Sequence, residues 1–415
     1  MRAACSIQFC AVAWLCVGAA LPATPARAQQ DAEDRPANRS APTIDASTGK
    51  ALQAAIDFLN AEDYASARGA ISDLRLDRLS PYERSRVEQI LFSIEFSEQN
   101  YAAARSHLLE AIDAGGLNEQ ELSQAKYQIA QLYLAEEKWR EGAKALEAWF
   151  ATEAAPNAGA YYLLAVAYYQ LEDFERALPA AERAIELMEK PQESWLQLAL
   201  GLRLQREEFD RALPILEQLI AVAPARKTYW TQLSSVYAQL SRYEEALAVL
   251  QLAHAGGLLA EETEIVQLAD LLMLNEIPFR AARLLEQALA DQVVAANVRN
   301  LQKLADCWIA AREYDRSTEP LKRAAEMDTT GNLFVRLGEV NVHREDWAAA
   351  ADALQRGIEK GGLRDGGGAE LLLGIAFMQQ KELGQAREWF ARAATSDRQS
   401  RVASGYLQLI DAQQD

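Results

Sequence analysis

Cysteine and histidine are the scarce residues of this 415-residue chain, which holds four of the first and three of the second. Cys5, Cys10 and Cys16 crowd the N-terminal stretch and leave Cys307 alone in the remainder. One thiol closes no internal disulfide, so a disulfide framework is excluded as a source of stability. Cys307 lies beside Leu304 and Trp308 on a helical pattern and reads as a packed small apolar residue. His107, His254 and His343 stand far apart, with no pair at metal-ligand spacing and no serine or cysteine partner nearby. The expectation is no metal, no cofactor and no catalytic residue. Carboxylate pairs are plentiful (Glu136-Glu137, Glu207-Glu208, Glu244-Glu245, Glu261-Glu262), but they recur at turns and helix starts, where solvation and the helix dipole account for them.

Positive charge is short as well. Lys and Arg number 42 against 60 Asp and Glu, a formal charge of −18. Such a surface repels phosphate backbones and offers no polybasic patch to anionic lipid, which argues against nucleic-acid and membrane-surface roles. Long apolar runs are confined to the N-terminus. Within residues 1–28, Arg2 gives a positive end, Phe9 to Ala20 an apolar run, and Ala26-Arg27-Ala28 an A-x-A site before Gln29. The run falls short of the roughly 20 residues a spanning helix needs. It reads as a cleaved export signal, and Leu15 before Cys16 disfavours a lipoprotein. Cleavage would remove two arginines and leave 40 basic against 60 acidic residues, a charge of −20. Residues 29–46 are polar, carry Pro36 and Pro42, and lack an apolar stripe, so a disordered leader is expected there.

What is abundant is a repeat. An aromatic, or finally Leu383, is followed three positions later by a small residue ten times: Tyr64/Ala67, Tyr101/Ala104, Trp139/Gly142, Phe174/Ala177, Phe209/Ala212, Tyr243/Ala246, Phe279/Ala282, Tyr314/Ser317, Trp347/Ala350 and Leu383/Ala386. Nine steps cover 319 residues, about 35 each. Inside each unit apolar residues fall three or four apart, as in Trp230, Leu233, Ser234 and Tyr237, then Tyr243, Ala246, Leu250 and Ala253. This predicts an all-α chain. The expected architecture is a right-handed tetratricopeptide-repeat superhelix of about ten helix pairs over residues 47–397, closed by a capping helix and tail over 398–415. The aromatics are expected to fill the gap to the adjoining repeat, and Val402, Tyr406 and Leu409 to seat the cap. Glycines at Gly115-Gly116, Gly256-Gly257, Gly361-Gly362 and Gly366-Gly367-Gly368 are expected after second helices as left-handed caps. They lack the lysine and helix-start context of a phosphate cradle, so nucleotide binding is not expected there. Glu95 at an expected aromatic site and Pro278 before Phe279 are the poorest matches to the repeat.

Repeats of this kind line a hollow with the first helix of each pair. On this register the residues left over from packing include Tyr127, Gln131, Tyr162, Tyr169, Gln170, Thr231, Ser235, Gln239, Gln302, Asp306 and Glu339. Tyr161 and Tyr168 occupy packing positions, whereas Tyr162 and Tyr169 are open to either partner contact or simple exposure. Amphipathic tyrosines suit an extended proline-rich strand. The lysine-plus-asparagine pattern that clamps a C-terminal carboxylate is absent.

Several stretches carry a narrower likeness: Leu79 to Glu88 (LSPYERSRVE), Lys190 to Trp195 (KPQESW), Tyr229 to Tyr237 (YWTQLSSVY), Ile277 to Glu286 (IPFRAARLLE), and Gly361 to Leu363 with Leu373 to Ala376. The array resembles the exported repeat proteins that accompany ExbB, ExbD and TonB energy-transduction components. The resemblance implies a periplasmic, non-enzymatic scaffold serving TonB-dependent uptake, with TonB, ExbB or ExbD components as partners. A scaffold for cell-envelope assembly or polysaccharide export is the alternative that such repeats leave open.

Overall fold

The computed structural model describes residues 43–414. The expected export signal and residues 29–42 of the expected leader lie outside them. Among the described residues there are 21 α-helices, one 3₁₀ turn at Leu76–Arg78, and no strand. The chain divides into two compact units, the first ending at Arg206 and the second beginning at Glu207.

The first unit holds α1 (Ala46–Asn60) with α2 (Tyr64–Ser72), α3 (Pro81–Ser97) with α4 (Tyr101–Asp113), α5 (Glu119–Ala135) with α6 (Trp139–Phe150), α7 (Ala158–Gln170) with α8 (Phe174–Glu186), and α9 (Glu193–Gln205). The second opens with α10 (Phe209–Val222). It continues with α11 (Lys227–Gln239) and α12 (Tyr243–Ala255), α13 (Glu262–Leu274) and α14 (Pro278–Ala290), α15 (Val298–Ala310) and α16 (Tyr314–Met327). α17 (Asn332–His343) with α18 (Trp347–Lys360), α19 (Gly366–Gln379) with α20 (Leu383–Ala393), and α21 (Ser400–Gln414) complete it. Within each unit every first helix packs on its own second helix, and every second helix on the first helix that follows. Helical structure begins at Ala46, earlier than the apolar stripe at Leu52 suggests, because the Asp45 side chain caps α1 by accepting from Ser47 N at 2.9 Å.

One turn recurs inside the pairs. Two residues before each second helix the backbone enters the left-handed region, at Glu62, Gln99, Glu137, Glu172, Glu207, Ser241, Glu276, Arg312, Glu345 and Lys381. The next amide then reaches back to close the preceding helix: Asp173 N donates to Tyr168 O and Lys138 N to Tyr133 O, each at 2.9 Å. The repeated aromatic is the first residue of the second helix that follows, except at Pro278, where Phe279 is the second.

The small residues, not the aromatics, form the seam. Ala67, Ala104, Ala177, Ala212, Ala246, Ala282, Ser317, Ala350 and Ala386 are wholly buried, and Gly142 is buried beside Leu134. The aromatics are half-buried, and Tyr243 and Phe279 are exposed. Phe279 and Tyr314 do reach the next pair, at 5.5 Å from Trp308 and 5.3 Å from His343 between ring centres. Tyr101 and Phe174 instead lie on their own first helix, against Phe96 and Tyr169. A first-turn side chain sits at the rim of the helix contact, so only the residue one turn deeper is sealed.

Three further expectations need correction. Gly366-Gly367-Gly368 opens α19 behind its cap Asp365 and follows no second helix directly, whereas Gly115, Gly257, Gly361 and Gly362 do take left-handed geometry. Glu95 is buried because Arg68 on α2 and Asn100 pair with it, which suits a carboxylate where an aromatic was expected. The capping helix docks through Ala403, Tyr406, Leu407 and Ile410, while Val402 and Leu409 face water. The seating face is rotated by one residue, set by Tyr406 stacking on Phe390 at 4.7 Å.

Candidate partner-binding faces

In the first unit the selected residues fall on two helices. Tyr127 and Gln131 are one turn apart on α5, and Tyr162, Tyr169 and Gln170 follow on α7. Tyr127 lies 4.7 Å from Trp149, and burial pushes its phenol up to about 12, with Gln131 hydrogen-bonded to it. Trp149 is itself pinned, its Nε1 donating to Ser123 Oγ at 2.8 Å. Tyr162 stacks on Trp195 at 4.9 Å with planes 15° apart, and burial raises its phenol pKa as well. Tyr169 lies 5.8 Å from Phe174, and Gln170 is exposed. These tyrosines are therefore neither bare nor sealed: each is half-buried against a neighbouring aromatic, stacked at Tyr162 and tilted at Tyr127 and Tyr169.

Tyr161 and Tyr168 pack as expected, Tyr161 against Phe150 at 4.7 Å. Tyr168 is buried, its hydroxyl donates to Glu147 at 2.5 Å, and its pKa is pushed up to about 12, by burial first and then by that carboxylate.

In the second unit Thr231, Ser235 and Gln239 step along α11 one turn apart. Thr231 and Ser235 spend their hydroxyls locally, donating to Thr228 O at 3.0 Å and Thr231 O at 2.8 Å. Ser235 and Gln239 are exposed. Gln302 and Asp306 lie one turn apart on α15, and Gln302 hydrogen-bonds Asp306. Burial lifts the Asp306 carboxyl above the usual aspartate range, against the pull of Arg336 at 3.6 Å. Glu339 holds the same arginine at 3.6 Å.

Sequence reasoning missed an ion-pair ladder between successive first helices. Arg86 on α3 meets Glu121 on α5 at 2.5 Å and lies over the Tyr82 ring. Lys227 on α11 meets Glu264 on α13 at 2.8 Å, and Asp270 on α13 meets Lys303 on α15. The partners are 33 to 37 residues apart, close to one repeat, and that spacing is the signal that could have found them. The pairing matters for recognition because Glu121, Glu264 and Asp270 are already matched by a cation. Among the described residues no group of three or more His, Cys, Asp or Glu could hold a metal, and no helix is long and apolar enough to cross a membrane.

No curated protein matches this chain. Among solved structures it is similar to MamA, at 16% identity over 41% of this chain and 89% of that one, with a TM-score of 0.35. It is similar to YrrB, described as a TPR protein with an unusual peptide-binding site, at 19% identity over 44% and 88%, TM-score 0.34. The C-terminal part of a TPR repeat-containing protein from Cytophaga hutchinsonii aligns at 12% identity over 67% and 98%, TM-score 0.35. Tetratricopeptide-repeat family models match residues 158–191, 202–257 and 335–401. The matched stretches are thus tetratricopeptide repeats, and the helix pairs outside them keep the same spacing; repeats of this kind are in general a non-catalytic scaffold for protein interaction.

Proposed function

We propose that this chain is a periplasmic interaction scaffold that holds a component of a TonB-type energy-transduction system and serves TonB-dependent uptake. The observation that carries the reading is the tyrosine set of the first unit, Tyr127, Tyr162 and Tyr169. Each rests against a neighbouring ring while remaining half-exposed. Aromatics ordered in advance lose little entropy on binding and suit an extended proline-rich strand, which needs flat apolar surfaces and hydroxyl donors. The stretches from Leu79 to Glu88 and from Ile277 to Glu286, with the apolar N-terminal segment, support the choice of system and compartment.

A photo-crosslinking amino acid at exposed Gln170 tests this in intact cells. Recovery of a TonB, ExbB or ExbD component, reduced by Tyr169→Ala, supports the proposal. Recovery of only cell-wall or polysaccharide-export proteins sinks it in favour of envelope assembly.

A further inference from the structure

Contacts between the first helices α5, α7 and α9 join them into one face. The Tyr127 hydroxyl of α5 comes 4.0 Å from where a Cβ on Gly159 of α7 would stand, and glycine leaves that approach open. Tyr162 of α7 in turn bonds Ser194 and stacks on Trp195, both on α9. Along α5 the same face carries Gln120, Gln124, Gln128 and Gln131, each three or four positions from the next, with Tyr127 among them. Gln131 is bonded to Tyr127, whereas the amides of Gln124 and Gln128 have no partner among the described residues.

That face lacks free charge on a chain in which 25% of the residues are charged. Lys126 stands two positions from both Gln124 and Gln128 and so falls on the other side of α5. α7, from Ala158 to Gln170, holds no charged residue at all. The carboxylates at the margins are engaged, Glu121 by Arg86 at 2.5 Å and Glu193 by Gln197 at 3.4 Å. A charged side chain laid on this face would lose water and gain no counter-charge, which costs free energy. What the face offers instead is amide hydrogens beside aromatic rings. Proline-rich strands have few N–H groups and make no internal hydrogen bonds, so their carbonyls need donors of this kind.

We propose that this face holds an extended segment of uncharged side chains. The Gln124 and Gln128 amides donate to its main-chain carbonyls, and Tyr127 and Tyr162 bear on its prolines. The segment belongs to a protein partner and is recognised through main-chain hydrogen bonds and ring contact, not through charge. This specificity presupposes the tyrosine surface proposed above, but not the identity of the partner.

The probes are three synthetic peptides of about ten residues, about 31 Å long as polyproline II: alternating Ala-Pro, Lys-Pro and Glu-Pro. Binding to the full chain is read by fluorescence anisotropy. The Ala-Pro peptide should bind about tenfold tighter than either charged one. Its affinity should change less than about twofold from about 0.1 M to about 1 M sodium chloride, over which the screening length falls from about 10 to about 3 Å. Gln124→Ala with Gln128→Ala should weaken it about tenfold. The melting curve should stay in place, since neither amide holds another of the described residues. Equal or tighter binding of the Lys-Pro or Glu-Pro peptide overturns the proposal, as does binding unchanged by the glutamine variant. Failure of all three peptides overturns it too, and a neutral glucan that binds in their place would name a different class of ligand. If the peptides sort as expected and crosslinking at Gln170 recovers no TonB, ExbB or ExbD component, the chemistry of the face stands and the assigned system falls. Crosslinking that succeeds while the peptides fail gives the reverse.

Discussion

Tyr162 lies flat on Trp195, ring centres 4.9 Å apart and planes 15° apart, and so ties α7 to α9. Any partner that uses Tyr162 therefore uses a ring already committed to folding. Substitution by alanine should report both roles at once, which makes the conservative change the informative one. Tyr162→Phe keeps the stack and gives up only the hydroxyl's bond with Ser194, so it should cost about 0.5–1.5 kcal/mol at most. Tyr162→Ala should cost about 1–3 kcal/mol, less than a fully buried aromatic because one side faces water. Thermal melts of the two variants, taken beside partner binding, separate the hydroxyl's role from the ring's.

The turns between paired helices give a second prediction. Glu172 sits at φ 57°, its amide donating to Tyr169 O at 3.0 Å, and Asp173 N closes α7 on Tyr168 O. Proline cannot reach that φ and has no amide hydrogen, so Glu172→Pro should lose about 3 kcal/mol or more. Glycine removes the roughly 1–2 kcal/mol steric penalty of the left-handed region and returns about 0.5–1 kcal/mol in chain entropy. Glu172→Gly should therefore be neutral to slightly stabilising. Urea unfolding curves decide both, and a destabilising glycine would mean that the Glu172 side chain holds the turn.

Close packing gives the third. A Cβ built on Gly374 in α19 would lie 2.7 Å from the ring of wholly buried Phe390, which itself stacks on Tyr406 of α21. Phe390 is sealed on all sides, so the strain passes to half-exposed Tyr406. Gly374→Ala should cost about 1–3 kcal/mol by overpacking and should loosen α21 first. Hydrogen exchange along Ser400–Gln414 is the measurement, and unchanged protection there would show that the ring pair shifts freely.

The period, the helix pairs and the small-residue seam were legible in the sequence because they depend on spacing alone. Rings and ion pairs were not. Tyr162 gave no sign of Trp195, since a contact across 33 residues depends on how one repeat leans on the next. Val402 and Leu409 looked like the seat of the cap, yet Tyr406 finding Phe390 rotated α21 and buried Ile410 instead. Glu95 looked like a defect, yet Arg68 and Asn100 make it a buried, paired carboxylate. Periodicity names the buried face of a helix. Which neighbour occupies it follows from three-dimensional fit.

Buried Cys307 provides a fourth prediction. It is 1% exposed, and burial pushes its thiol up to about 12. With Cys5, Cys10 and Cys16 replaced by serine, the folded chain should resist a thiol reagent at pH 8 and react fully in denaturant. Rapid native labelling would mean that α15 opens readily.

Glu95 carries the acid end of the stability profile. Its pair with Arg68, then its bond from Asn100, holds its carboxyl below the usual glutamate range despite burial. A group whose pKa is depressed by folding adds stability above its unfolded pKa and loses it as pH falls through the folded value. Glu83 acts in the same direction, its carboxylate bonded first by Ser80 and then by the Asp45 amide at 2.7 Å. The chain should therefore lose stability as pH drops below about 4.5, the ordinary glutamate value, with little change from neutrality down to that point. Glu95→Gln should cost about 1–3 kcal/mol at pH 7, because it strips a charge-assisted bond from Arg68 while keeping an amide for Asn100. As pH falls below the ordinary glutamate value and through the lowered folded one, the gap between wild type and variant should narrow, since the folded carboxyl then takes up the proton that the unfolded chain already holds. Denaturant unfolding over a series of pH values from 7 downward tests the sign directly: a gap that widens or stays constant as the fold becomes acid-labile would show that Glu95 stabilises the first unit through shape and not through charge.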